Sequence, residues 1–337
     1  MRAVRVWLNH WFSTAYHIIR LLKADELINF IVIGSNTNTN CVYRAVCSEW
    51  VTEPEFDSID AYVDYCLEFC RKHNIDVFLP RRNMLAVSRR LAEFDAMGIK
   101  VLVERDYLTM SALCDKAKTY QMFKESGIGY VPPYCVVTSA EEYKAAYRFI
   151  KLDDNRVCLK LAIDEGAASF RVVDNRIEGS LKKRSGSKIT YEDSVKALSK
   201  LGEFPDLLVM PYLSGEEVSV DCLYMPDGGH IAIPRYKSQG RSETIRFEKE
   251  IVDVCHMFLD RFKLNYPCNL QFKYDKDVPY LLEVNTRMSG GIQFSCVAAG
   301  INIPNIAVNR LLGIEKQADY DRETWVVSYV ETPVILW

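Results

Sequence analysis

Residues 269–291 read NLQFKYDKDVPYLLEVNTRMSGG. Two runs of strand-forming residues, Asn269 to Tyr274 and Tyr280 to Asn285, flank a turn at Asp275 to Val278, so the stretch predicts an antiparallel hairpin. Side chains alternate between faces along a strand, which puts Glu283 and Asn285 on one face with Leu282 and Val284 toward the core, and a suitable register brings Gln271 beside them. Three oxygen-bearing side chains at one strand end suit a hard cation such as Mg²⁺, which keeps waters and takes phosphate oxygens as its remaining ligands. Arg287, Ser289, Gly290 and Gly291 follow at once. A guanidinium fork and glycine N–H groups are what an anionic reacting group needs beside such a metal. Taken alone, Glu-x-Asn reads first as a solvated strand end, and the surrounding string is what shifts the weight.

Upstream, strands and helices alternate. Ala3 to Leu8 reads as a buried strand, and Ser13 or Thr14 caps a helix whose apolar stripe is Ala15, Ile18, Ile19 and Leu22. A strand at Phe30 to Ile33 ending at Gly34, a helix at Ile59 to His73, a strand at Asp76 to Pro80, a helix at Asn83 to Met97 and a strand at Lys100 to Val103 complete a parallel, wound unit of Rossmann-like shape. Gly34 stands alone, so no dinucleotide fingerprint is present. Further on, a helix is expected from Met110 to Gly127 and another from Ala140 to Ile150. Strands are expected at 157–161, 170–173, 207–210 and 218–224, and a helix at Phe247 to Phe262. Lys182 to Lys188 reads as a solvated basic loop, with a lid over phosphates as the alternative.

The string Glu283-Val284-Asn285-Thr286-Arg287-Met288-Ser289-Gly290-Gly291 resembles the metal-binding segment of the ATP-grasp superfamily, in particular its carbamoyl-phosphate-synthase-like and biotin-carboxylase-like branch. Other stretches agree in order and spacing. By this resemblance, Lys116 and Lys160 approach the nucleotide phosphates, and Met210 and Leu213 in Val209-Met210-Pro211-Tyr212-Leu213 meet the nucleobase. Glu217 takes the ribose hydroxyls, Gln271, Glu283 and Asn285 hold the metal, and Arg287 is the reaction-site arginine. The loop Asp164 to Ser169 has a single glycine where family members often show several, and Pro211 offers no N–H at the hinge.

The resemblance implies an α/β plus α+β molecule: a Rossmann-like domain over 1–107 and an ATP-grasp domain over 108–314. Within the latter, a lid spans about 155–225 and a metal-binding part about 226–314, with a tail at 315–337. It implies a carboxylate-amine ligase that forms an amide through an acyl phosphate and releases ADP and phosphate. The cofactors are ATP and two Mg²⁺ ions, with Mn²⁺ as a substitute, and the partners are a small carboxylate and an amine. A non-catalytic nucleotide-binding protein and an ATP-dependent kinase or carboxylase are the rival readings. Arg235 or Arg241 is a second-choice substrate clamp, with an exposed charged loop as the rival. Arg81 and Arg82, at the carboxyl end of a wound sheet, are placed to hold an anionic substrate or to cap the surface.

Composition sets the outer bounds. With 49% apolar and 26% charged residues among 337, the chain has the profile of a globular protein of about two domains. Its 42 basic and 45 acidic residues give −3, so no whole-protein field draws it to nucleic acid or an anionic membrane. No stretch has the apolar length of a membrane span, and the start lacks the core of a secretion signal. The 11 cysteines are scattered with no Cys-x-x-Cys, which fits a reducing cytoplasm better than zinc or a disulfide framework. A homodimer is the expectation for a symmetric soluble enzyme.

Overall fold

The computed structural model describes residues 2–151, 156–164, 168–177, 187–238 and 240–336. Its contacts divide the chain into two compact units, one of 1–111, 218–271 and 284–337, the other of 112–217 and 272–283.

The first unit begins with β1 (Arg2–Asn9), α1 (Ala15–Lys23), β2 (Ile28–Asn36), β3 (Glu49–Thr52), α2 (Ile59–Lys72), β4 (Val77–Leu79), α3 (Met84–Arg89), α4 (Leu91–Ala96) and β5 (Lys100–Val101). The strands form one sheet in the order β3-β2-β1-β4-β5, with every neighbouring pair parallel. Parallel neighbours need crossovers, and the amphipathic helices supply them. In α1 the buried side chains are Ala15, Ile18, Ile19 and Leu22, the expected stripe. Ser58 caps α2 by accepting the Ala61 N–H.

Among the boundaries that differ from the sequence reading, three have a physical reason in the structure. β2 runs through Gly34 instead of ending there, because a side chain at 34 would overlap the Cys47 thiol and crowd the Trp50 ring, so this glycine permits close packing inside a strand. The helix expected over 83–97 breaks at Arg90, whose backbone leaves the helical region. The helix expected from Met110 to Gly127 is two, α5 (Tyr107–Leu113) and α6 (Lys116–Ser126). The Asp115 carboxylate accepts the N–H groups of Ala117 and Lys118, which starts α6 at Lys116.

The second unit holds β6 (Cys135–Ser139), α7 (Ala140–Lys151), β7 (Val157–Leu161), β8 (Arg171–Val173), β9 (Lys188–Ile189), α8 (Tyr191–Leu201) and β10 (Glu203–Pro211). Its sheet order is β6-β10-β7-β8-β9, and Val137, Tyr143, Ile150, Val157, Leu159 and Val209 form the heart of its core.

A third sheet, ordered β15-β14-β11-β12-β13-β16, is built from β11 (Glu217–Leu223), β12 (Ile231–Lys237), β13 (Ser242–Ile245), β14 (Cys268–Asp275), β15 (Val278–Asn285) and β16 (Trp325–Ser328). Helices α9 (Lys249–Phe262), α10 (Ile292–Ala298) and α11 (Ile303–Leu311) complete the chain. β14 and β15 are the expected hairpin strands, and the division between the units cuts across both. No helix among the described residues is long and apolar enough to cross a membrane.

Trp7 anchors the first sheet. It is fully buried, stacks on Phe69 at 4.1 Å and on Phe78 at 4.2 Å, and donates its indole N–H to Ser35 Oγ at 2.7 Å. Trp7→Ala is expected to destabilise the first unit by about 3–5 kcal/mol, read as a lower urea midpoint. Trp7→Phe, which loses the hydrogen bond but keeps most of the stack, should lose less.

Candidate functional site

In the second unit, the end of β7, the start of α6 and residues 282 and 283 of β15 meet around two lysines. Lys160 sits within β7, opposite Leu208 of β10, and is 9% exposed. A strand lysine this deep needs oxygen acceptors. It donates to the Leu282 carbonyl at 2.9 Å and to Tyr120 Oη at 3.1 Å, and Tyr120 Oη donates to the same carbonyl at 2.8 Å. Burial pushes its ammonium down to about 8, although Glu283 pulls the other way, and nearby Lys116 adds to the lowering.

Lys116, the first residue of α6 and 8% exposed, donates to the Asp164 carbonyl at 2.8 Å and lies 3.6 Å from Glu283 Oε2. The Asp164 carboxylate is occupied by Ser169, whose N–H donates at 2.8 Å and hydroxyl at 2.5 Å, so this acid closes its own loop. Residues 165–167 of that loop lie outside the described residues, as do residues 178–186, which include Lys182, Lys183 and Arg184. Lys188 pairs with Asp174 at 3.3 Å.

The rest of the expected nucleotide set lies along β10, the short segment after it and the first residue of β11. Met210 and Leu213 are buried, and Met210 pairs with Cys158 of β7. Glu217 lies 3.7 Å from Lys273 Nζ. The Lys273 ammonium and the Arg156 guanidinium both lie over the Tyr212 ring, at 5.6 and 4.4 Å. Sequence reading did not single out Tyr120, Lys273, Arg156 or the Leu282 carbonyl. Tyr120 had a signal, since it stands four residues after Lys116 on one helix face.

The first unit holds Gln271, Asn285 and Arg287, whereas Glu283 falls in the second. Along β15 the buried positions are Pro279, Leu281 and then Val284. The alternation therefore changes phase: Leu281, not Leu282, faces the core, and Leu282 instead presents its carbonyl to Lys160. Glu283 and Asn285 are both half-buried on either side of Val284. Gln271 donates to Asn269 Oδ1 at 3.4 Å, and Asn269 donates in turn to Ser219, the Val220 carbonyl and Asp221, each at 3.0 Å.

Arg235 is neither an exposed loop residue nor open to a ligand. It lies in β12, 3% exposed. Its guanidinium donates to Asp221 at 2.9 Å, Ser289 at 2.9 Å, Ser219 at 3.2 Å and Glu243. A Cβ at Gly291 would overlap that guanidinium, and the Gly291 N–H donates to Ser289 Oγ at 3.2 Å. Gly291 is thus required by packing on Arg235. Arg241 pairs with Glu331 at 2.5 Å and lies over Tyr329. Arg287 donates to the Met288 carbonyl at 3.3 Å and lies over Phe12 at 4.8 Å.

Among the described residues no group of three or more His, Cys, Asp or Glu side chains is placed to hold a metal ion. The Gln271, Glu283 and Asn285 set offers two amides and one carboxylate, enough for a hard cation only if phosphate oxygens supply further negative charge.

Residues 203–333 match the family described as ATP-grasp in the biosynthetic pathway with Ter operon. No curated protein sequence matches the chain. Among solved structures, N5-carboxyaminoimidazole synthetase from Staphylococcus aureus superposes with a TM-score of 0.71 at 11% identity, over 97% of this chain and 82% of that one. Biotin carboxylase from Campylobacter jejuni gives 0.70 at 16%, over 96% and 74%. An L-amino acid ligase from Bacillus licheniformis gives 0.64 at 16%, over 92% and 75%. These solved structures, each less than 25% identical to the chain, show that it shares their fold.

The buried ammonium carries its own test. Because its value of about 8 lies below the ordinary 10.5, the charge costs stability in full below pH 8, and that cost fades as the pH rises from 8 toward 10.5. The stability of Lys160→Met relative to the parent, from urea unfolding, is therefore expected to be highest near about pH 7 and to fall by about pH 10. A difference that stays flat over that range would show that Lys160 does not titrate there.

Proposed function

We propose that the chain is an ATP-dependent carboxylate-amine ligase that forms an amide or peptide-like bond and releases ADP and phosphate. The observation that carries this reading is the pair of buried ammonium groups of Lys116, beside Glu283, and Lys160, on the Leu282 carbonyl of the same strand. One carboxylate, Glu283, stands between two cations, so the cluster holds an excess of positive charge in a desolvated place. A triphosphate is the ligand whose charge answers it. Solved structures with this fold include complexes with ADP, with MgADP and with beta-gamma-ATP.

In this reading Lys116 and Lys160 hold the phosphates, while Met210 and Leu213 meet the base and Glu217 the ribose. Gln271, Glu283 and Asn285 would hold Mg²⁺, which neutralises charge on the transferring phosphoryl group. The chain's own contribution is positioning: two fixed ammonium groups orient the γ-phosphate toward a substrate carboxylate, with no reorganisation at the moment of reaction. A carboxylate oxygen attacks phosphorus and the bond to the ADP oxygen breaks. Arg287 steadies the acyl phosphate, an amine attacks its carbonyl carbon, and phosphate leaves as the nitrogen gives up a proton.

Amino acids, alone and in pairs with small carboxylates, should stimulate ADP release, and Glu283→Gln should cut that release by about 100-fold or more while unfolding at the same urea concentration. Normal turnover of this variant would remove the metal role. Biotin carboxylase shares the fold, so bicarbonate serves as the competing acceptor: ADP release that needs bicarbonate and no amine would identify a carboxylase instead.

A substrate labelled with ¹⁸O in its carboxylate should deliver one label to inorganic phosphate. AMP formation with no label transfer would mean adenylation and would overturn the acyl-phosphate route.

A further inference from the structure

Tyr120 stands on α6 one turn past Lys116, and its side chain is completely buried. Burial alone asks only for an aromatic ring at this place, where Tyr120 meets Tyr134 edge-on with 5.3 Å between ring centres. Phenylalanine would fill that space. The packing does not account for the hydroxyl, whose partners are the Lys160 ammonium and the Leu282 carbonyl, all three groups lying in the second unit.

The direction of each bond follows from what the groups can do. A carbonyl only accepts, so the phenol gives its one proton to Leu282 and turns a lone pair of its oxygen to Lys160. Burial raises the phenol well above its ordinary range, which keeps that proton on the oxygen. An ammonium carries three N–H groups. Among the described residues two of them are taken, by Tyr120 at 3.1 Å and by Leu282 at 2.9 Å, and these two acceptors are themselves bonded at 2.8 Å. A closed triangle of bonds fixes the rotation of the ammonium about its Cε–Nζ bond, which a single acceptor leaves free. The remaining N–H then has one direction. Lysine is otherwise a mobile point charge, and its freedom is lost here on folding instead of when a ligand arrives.

We propose that Tyr120 is a positioning residue: its hydroxyl holds the Lys160 ammonium so that two N–H groups face the protein and one is presented to an anion. Tyr120 itself touches no ligand. That the anion is a nucleotide phosphate rests on the nucleotide role proposed for the lysine pair, whereas the holding of the ammonium does not.

Calorimetric titration with MgATP of the parent chain, Tyr120→Phe, Lys160→Met and the double variant tests it. Tyr120→Phe should weaken binding by about tenfold. It should cause no further loss where Lys160 is already methionine, because a residue that acts through an ammonium has no effect without it. Tyr143→Phe removes a hydroxyl that is just as buried, bonded to Ser194 at 2.7 Å, and is expected to lower the urea midpoint while leaving the affinity unchanged. Unchanged affinity in Tyr120→Phe, the same loss with and without Lys160, or the same loss in Tyr143→Phe overturns the proposal. A second readout needs no nucleotide. In protein labelled with ¹⁵N-lysine, in slightly acidic buffer, the Lys160 ammonium should give a resolved NMR signal, identified by its loss in Lys160→Met, because hydrogen-bonded N–H groups exchange slowly with water. Tyr120→Phe should lose that signal to exchange. An equally sharp signal in Tyr120→Phe, or no such signal in the parent, overturns the proposal, and this readout decides the matter where Lys160→Met abolishes MgATP binding outright. A parent that binds no MgATP, with the ammonium signal lost in Tyr120→Phe, defeats the nucleotide reading alone. MgATP binding that Tyr120→Phe does not move defeats the positioning role alone.

Discussion

The second unit is organised around one hydrogen bond, from the Lys160 ammonium to the Leu282 carbonyl at 2.9 Å. An ammonium buried in a strand has to be met by oxygen or it reverts to the amine. Meeting it fixes three things at once. The carbonyl that accepts it must turn toward β7, so β15 shifts phase and buries Leu281 instead of Leu282. Tyr120, which shares the acceptor, must sit on the face of α6 toward β15. Glu283, the next residue in the chain, is thereby delivered to 3.6 Å from Lys116. Burial that holds the Lys160 ammonium down to about 8 is the cost of this arrangement. A bound polyanion would reverse its sign by favouring the charged form.

The first unit solves a similar problem with the opposite economy. Arg235, equally buried, is surrounded by two carboxylates and two hydroxyls, Asp221, Glu243, Ser219 and Ser289. Its charge is compensated within the protein, whereas that of the two lysines is only half compensated by Glu283. A guanidinium with this many acceptors holds strands together, and a ligand has nothing to add. Serine at 289 and glycine at 291 follow from that packing, one as an acceptor and the other because no side chain fits. The glycine at 291 thus has a structural duty first, whereas a side chain at Gly290 would make only an ordinary contact with Thr14, and Arg287 lies over Phe12.

The wound first sheet and the hairpin of β14 and β15 were legible, because periodicity is a local signal, whereas Lys116 and Glu283 were singled out by resemblance to a known family and nothing in the sequence foretold the 3.6 Å between them. The phase change at Leu282 was not, since a backbone carbonyl leaves no mark in a sequence. Arg235 was misplaced for a related reason. Pro234 beside it argues against a strand, and its partners at 219, 221, 243 and 289 become visible only when the chain is folded. The break at Asp115 was legible in principle, for an aspartate before Lys-Ala-Lys is an ordinary helix cap. It was hidden by the apolar residues on both sides, which read as one continuous helix.

Charge on this molecule has to be read locally. The whole chain carries −3, which would argue against any polyanionic ligand, yet in the second unit Lys116 and Lys160 lie about one carboxylate, Glu283. At physiological ionic strength charges separated by more than about 8 Å in solvent are largely screened, so distant surface acids act only weakly on the lysine pair. Around Lys116 and Lys160, both buried, water is largely excluded, and there the local sign governs. An anionic ligand would therefore meet attraction only after coming close, which makes affinity depend on the geometry of the lysine pair more than on long-range steering. That is the electrostatics of a protein that selects small anions by fit, and it leaves the basic, extended surface that a nucleic acid requires with no counterpart in the net charge of this chain.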